Sequence, residues 1–153
     1  MIPEYRFFQG AVLCELIDAA IAPVSVHEVT EGGRVGYYIL DGEIGLQVKH
    51  SAARLSPWSF TLKGSHLSQL LEMRVELRHV FLVLVCGETG MLSLSIDDVL
   101  EICEATSDDQ YWLRVTKRPG GMFSVNGSKG SLRQKKRSGL HAVIAVLKSQ
   151  AES

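Results

Sequence analysis

The stretch GYYILDGEIGLQVK, residues 36–49, sets two apolar, β-rich runs on either side of an Asp-Gly pair. Such a pair supplies the positive φ angles of a tight type I′ turn, so the stretch predicts a β-hairpin with Asp41-Gly42 as a two-residue loop. In that register Leu40 pairs with Glu43, Tyr38 with Gly45 and Gly36 with Gln47. Side chains alternate along a strand, so Ile44, Leu46 and Val48 share one face while Glu43, Gly45, Gln47 and Lys49 share the other. The first face belongs to a core. The second presents an amide and an ammonium, two positions apart, to an open surface.

Outward from the hairpin, Phe8, Val12, Leu16 and Ala19 recur at helical spacing and predict a helix over 4–21, closed by Pro23. Residues 24–29 alternate as a short strand, and Glu31-Gly32-Gly33 makes a turn or bulge into the hairpin. On the other side, a polar connection over 49–57 leads to the alternating strand 58–62. Ser65 then caps a helix over 66–78 with Leu67, Leu70, Leu71, Val75 and Leu77 as its buried stripe. Residues 79–86, HVFLVLVC, are apolar on both faces, as a strand covered on both sides must be. An edge strand over 91–94 and a Ser95-capped helix to Glu104 follow, with Asp97 and Asp98 favoured by the helix dipole in its first turn. Asp108 and Asp109 precede a strand over 111–115, and a helix over 140–149 ends the pattern. The fold class is α/β, a central mixed sheet flanked by helices, in a single domain over 1–153.

The net charge of −1 conceals two unlike parts. Residues 1–109 hold 16 acids against 7 bases, whereas 110–153 hold 9 bases and the single acid Glu152. A split of this kind points to contact with nucleic acid or another polyanion. The bases Lys117, Arg118, Lys129, Arg133, Lys135, Lys136 and Arg137 are interleaved with glycines, the pattern of a flexible basic loop rather than a packed element. The same charge asymmetry fits a module for self-association or partner docking, including a homo-oligomer. No apolar stretch is long enough to cross a bilayer and the first residues lack a signal-peptide pattern, so a cytoplasmic location and no membrane partner are expected. Cys14, Cys86 and Cys103 form neither a disulfide framework nor a zinc pattern. Walker, dinucleotide and nucleophile-elbow motifs are absent. Trp58 reads as core, and His50 as facing away from Lys49.

The segment IGLQVKHS, residues 44–51, after a helix and a hairpin and before a helix and an apolar strand, resembles the restriction-endonuclease-like PD-(D/E)xK nucleases. The matching motif residues are Gln47 and Lys49, in the family's Gln-x-Lys variant. The resemblance implies a restriction-endonuclease-like core. It also implies magnesium or manganese, held partly by Gln47, with Lys49 orienting water or steadying charge on a phosphate. Such hard cations want carboxylate oxygens, yet the family's Asp position falls near Gly36 or Tyr37. Asp41 is about 20 Å along the strand from Gln47, and Glu43 about 13 Å. Glu15, projecting from the first helix, and Glu31, turned inward by a bulge, are the remaining candidate ligands. The chemistry therefore leaves three expectations: a nuclease-fold domain that binds nucleic acid with an incomplete metal site, an active metal-dependent nuclease using Lys49, Gln47 and Glu15, or a protein-interaction module.

Overall fold

A computed structural model describes residues 1–103 and 110–152. The expected helix end at Glu104 and the pair Asp108 and Asp109 lie outside these residues. The elements run α1 (Glu4–Ala19), β1 (Val26–Val29), a 3-10 turn (Glu31–Gly33), β2 (Tyr37–Leu40), β3 (Ile44–Ser51) and β4 (Trp58–Leu62). They continue with α2 (Gly64–Glu76), β5 (His79–Cys86), β6 (Gly90–Ser95), α3 (Ile96–Ile102), β7 (Tyr111–Thr116), β8 (Ser124–Gly127), β9 (Gly130–Ser131) and α4 (His141–Glu152). Among the described residues no helix is long and apolar enough to cross a membrane.

Five strands form a mixed sheet in the order β1-β2-β3-β5-β6, parallel only between β3 and β5 and antiparallel elsewhere. Both faces are covered, which is why β5 is apolar from Val80 to Cys86. On one face Ile44, Leu46 and Val48 pack with Val12 and Leu16 of α1 and Val143 and Leu147 of α4. On the other, Leu82 and Leu84 pack with α2, α3 and a second sheet.

That second sheet corrects the expectation of a single sheet. Strands β4, β7, β8 and β9 form it in that order, all antiparallel. Its inner residues Trp58, Phe60, Leu113, Val115 and Val125 are buried in the same core as Leu82 and Leu84, while Ser59, Thr61, Trp112 and Arg114 face out. Alternation in 58–62 and 111–115 is legible in the sequence, but pattern alone does not assign a strand to a sheet.

The glycine-rich basic segment is likewise not a loose loop. Phe123, Val125 and Leu132 are buried, and Lys136 exchanges two backbone hydrogen bonds with Phe123 at 2.7 and 2.9 Å. The hairpin register also shifts: Leu40 pairs with Ile44 and Tyr37 with Gln47, so the loop is Asp41-Gly42-Glu43. Asp41 takes φ 51°, and its carboxylate accepts the backbone N–H of Ser25 at 2.8 Å. An Asp that tolerates the left-handed region and bonds back to the chain accommodates the third loop residue. Helix α2 starts two residues earlier than expected, its buried residues are Leu67, Leu70 and Met73, and Val75 is exposed.

Candidate functional site

Strand alternation places Gln47 and Lys49 on the face of β3 opposite Ile44, Leu46 and Val48, as the sequence predicts. The open surface expected for the pair does not extend to Gln47. Gln47 is 0% exposed, because α2 and the second sheet cover that face. Its Nε2 donates to Tyr37 Oη, and Tyr37 Oη donates to Gln69 Oε1 at 2.6 Å, a chain that ties β3 through β2 to α2. Burial pushes the Tyr37 phenol up to about 12. Gln47 Oε1 is buried and has no hydrogen-bond partner among the described residues.

Lys49, one pleat further on, reaches the wall of a cavity of about 570 Å³ at the end of β3. Its Nζ donates to Nδ1 of His66 at 2.9 Å. That ring sits there because the backbone N–H of Lys63, ahead of the first turn of α2, also donates to Nδ1 at 3.2 Å. A nitrogen with two donors carries no proton, so His66 is the neutral Nε2–H tautomer. Burial, then Lys49 and Lys63, lowers the His66 pKa. Burial first and the charge of Lys63 second lower the Lys49 pKa to about 8. Arg34 completes the wall, 3.2 Å from Glu72 and over the Tyr37 ring. Among the described residues, no Asp or Glu lines the cavity.

The candidate carboxylates do not join Gln47. Glu15 is exposed on α1, beside Gly139, on the α1 and α4 side of the sheet. Glu31 is exposed on the 3-10 turn, and Glu43 in the hairpin loop accepts from Gln150 at 2.7 Å. Tyr37 stands across from Gln47, where the resemblance wants an acid. Among the described residues no group of three or more His, Cys, Asp or Glu side chains is placed to hold a metal ion. A magnesium or manganese ion therefore does not fit the donor set of the described residues, which offers amide oxygens of Gln47 and Gln69 amid cations and phenols and no carboxylate.

The seven basic residues of the C-terminal segment divide. Lys117, Arg118 and Lys135 line a second cavity of about 420 Å³, and the Lys117 ammonium stands 5.9 Å from the Phe123 ring centre. Lys135, Lys136 and Arg137 border a smaller one, but Lys136 is held 3.0 Å from Asp98. Lys129 and Arg133 are placed elsewhere, their backbone N–H groups bonded to Ile102 O and the Glu101 carboxylate. His50 faces α1, stacked on Phe8 and 3.4 Å from Glu4. Trp58 is core, 1% exposed, its Nε1 donating to Ala53 O.

Sequence reasoning missed His66, Lys63, Arg34 and Gln69, and set Gly36 rather than Tyr37 across from Gln47. A one-residue register shift accounts for Tyr37, and no local pattern marks the other four. Comparison with protein-family models, with curated proteins and with solved structures finds no match for the chain.

Proposed function

We propose that this chain is a nucleic-acid-binding domain on a restriction-endonuclease-like core, in which the cavity at the end of β3 seats a phosphate and performs no metal-dependent cleavage. The order α1, β1–β4, α2, β5, with β4 in the second sheet and β3 and β5 parallel, is the setting in which Gln47 and Lys49 resemble the nuclease motif. One observation carries the reading: Lys49, Lys63, Arg34 and His66 line a single cavity to which, among the described residues, no Asp or Glu contributes, Arg34 being paired with Glu72 outside it. A half-buried ammonium there gains from an anion, which replaces the hydration it has lost. Lys49 donates directly, Lys63 adds field, and the Nε2–H of neutral His66 offers a further donor.

Fluorescence anisotropy with labelled oligonucleotides at low salt tests this. Affinity should fall steeply as salt rises, because each neutralised phosphate releases counterions. Lys49→Met and Lys63→Ala should each weaken binding and flatten the salt slope. The active-nuclease alternative demands cutting of plasmid or RNA with magnesium or manganese that disappears in Lys49→Ala, and that result would overturn the proposal. Salt-sensitive oligomers by light scattering, without affinity for any polynucleotide, would favour the interaction module instead.

A further inference from the structure

The outer face of the second sheet carries an unusual pair. Trp112, 50% exposed, and Arg114 project from β7 on the solvent side, two residues and so about 6.8 Å apart. The register sets Thr61 opposite Trp112 and Ser59 opposite Arg114, with Asn126 of β8 on the other flank of Arg114. This aromatic and this guanidinium thus lie in a shallow field of small polar side chains. Among the described residues, no carboxylate projects from this face.

The face is continuous with both cationic cavities. Ser59 and Thr61 also line the cavity of Lys49, Lys63 and His66. Along β7 in the other direction, Thr116 pairs with Ser124, and both line the cavity of Lys117, Arg118 and Lys135. A cationic hollow, a tryptophan beside an arginine, and a second cationic hollow therefore follow one another across one surface. Trp112 to Thr116 alone extends about 14 Å.

We propose that this face binds single-stranded nucleic acid, with a base stacked on Trp112 and the flanking phosphates on Arg114 and the lysines of the two cavities. The inference rests on the nucleic-acid reading above and adds the substrate class to it. Charge complementarity selects a polyanion, and the exposed indole selects one with free aromatic faces. In a duplex those faces are stacked on neighbouring base pairs, whereas an unpaired base presents its face to the indole. An acidic peptide satisfies the cations but leaves Trp112 without a partner.

The chain has two tryptophans, and Trp58 is 1% exposed, so a ligand on this face changes the emission of Trp112 alone. Titration with an oligothymidylate at low salt should quench tryptophan emission in step with anisotropy. Trp112→Ala should weaken single-strand binding by about 10-fold while leaving affinity for duplex DNA and heparin unchanged. Trp112→Phe should recover most of the loss, and Arg114→Ala should weaken binding with a shallower salt slope. Equal thermal melts of the variants exclude unfolding as the cause. Saturable binding with no quenching and no effect of Trp112→Ala would overturn this inference and leave the cavity reading standing. Oligoglutamate competing as well as oligothymidylate would also overturn it. No affinity for any polynucleotide at low salt would remove both.

Discussion

Lys49 Nζ lies 2.9 Å from His66 Nδ1, and the same ring nitrogen takes the Lys63 backbone N–H at 3.2 Å. The ammonium is therefore paired with a neutral ring rather than with a carboxylate, which is why burial and Lys63 bring its pKa down to about 8. A carboxylate partner would hold it up instead. The arrangement keeps a cation short of counter-charge beside an open cavity.

It follows that ligand affinity tracks the protonation of Lys49. Polynucleotide binding at low salt should decrease several-fold between pH 7 and pH 9, and Lys49→Met should abolish most of that dependence. The stability sign runs the other way. The folded value lies below the ordinary 10.5, so between about pH 8 and 10.5 the unfolded chain binds the extra proton and stability rises with pH. Lys49→Met should lack that rise. At pH 7 it should be more stable than the wild type by on the order of 1 kcal/mol, less than the full shift because the ammonium keeps some contact with water. Urea titrations at pH 7 and pH 10 measure both. A binding profile flat from pH 7 to 9 would remove Lys49 from the ligand.

Gln47 gives the second prediction, from its buried and unpartnered Oε1. Gln47→Met discards one hydrogen bond to Tyr37 Oη together with the orphaned acceptor, while Tyr37 keeps Gln69. Stability should change by less than about 1 kcal/mol. Gln47→Glu places a carboxylate in the same dry position and should cost about 3 kcal/mol at pH 7. Burial raises that carboxylate's folded pKa above its unfolded value, so the cost should fade as pH falls toward 4. Thermal melts at pH 7 and 4.5 decide it. A Gln47→Glu variant as stable as wild type at pH 7, and stabilised further by manganese, would restore the metal site.

The α/β class and most elements were legible because they rest on local periodicity: Val12 and Leu16 on one helical face, continuous apolarity in 79–86, Ser95 ahead of Asp98. Two features were not. Whether 58–62 joins the first sheet or a second depends on its partner at 111–116, some fifty residues away, and alternation reads the same in either sheet. The cavity has the same origin: Lys49, His66 and Arg34 come from a strand, a helix start and a loop, and only tertiary packing brings them together. The residue opposite Gln47 is Tyr37, one position from the Gly36 that a two-residue loop puts there. A three-residue hairpin loop in place of a two-residue one moves every cross-strand partner by one.

Gly127 tests how the second sheet meets α3. The residue pairs with Leu113 across β7 and β8, and a Cβ there would overlap the carbonyl oxygen of Ile102 at the end of α3. That carbonyl also accepts the Lys129 N–H at 2.8 Å, so neither backbone is free to retreat. Gly127→Ala should lower stability by about 2 kcal/mol, read as a lower urea midpoint with an unchanged slope. A midpoint like wild type would mean that β8 and α3 are not held this close.

Adjacent lysines in the basic segment should separate cleanly. Lys136 Nζ is 3.0 Å from the Asp98 carboxylate, whose Oδ2 also accepts the Ser95 N–H at the start of α3, and both side chains of the ion pair are only about one-fifth exposed. Lys135 is exposed and lines the cavity of Lys117 and Arg118. Lys136→Ala should therefore cost about 1 kcal/mol of stability and leave oligonucleotide affinity unchanged. Lys135→Ala should leave stability within about 0.5 kcal/mol of wild type. Its binding should weaken, and the slope of log affinity against log salt should fall by about 0.7, the contribution of one phosphate on a single strand. Paired melts and anisotropy titrations at three salt concentrations measure both variants. If the two exchange behaviours, the Asp98 pair does not occupy Lys136 and the cationic surface extends past Lys135 onto α3.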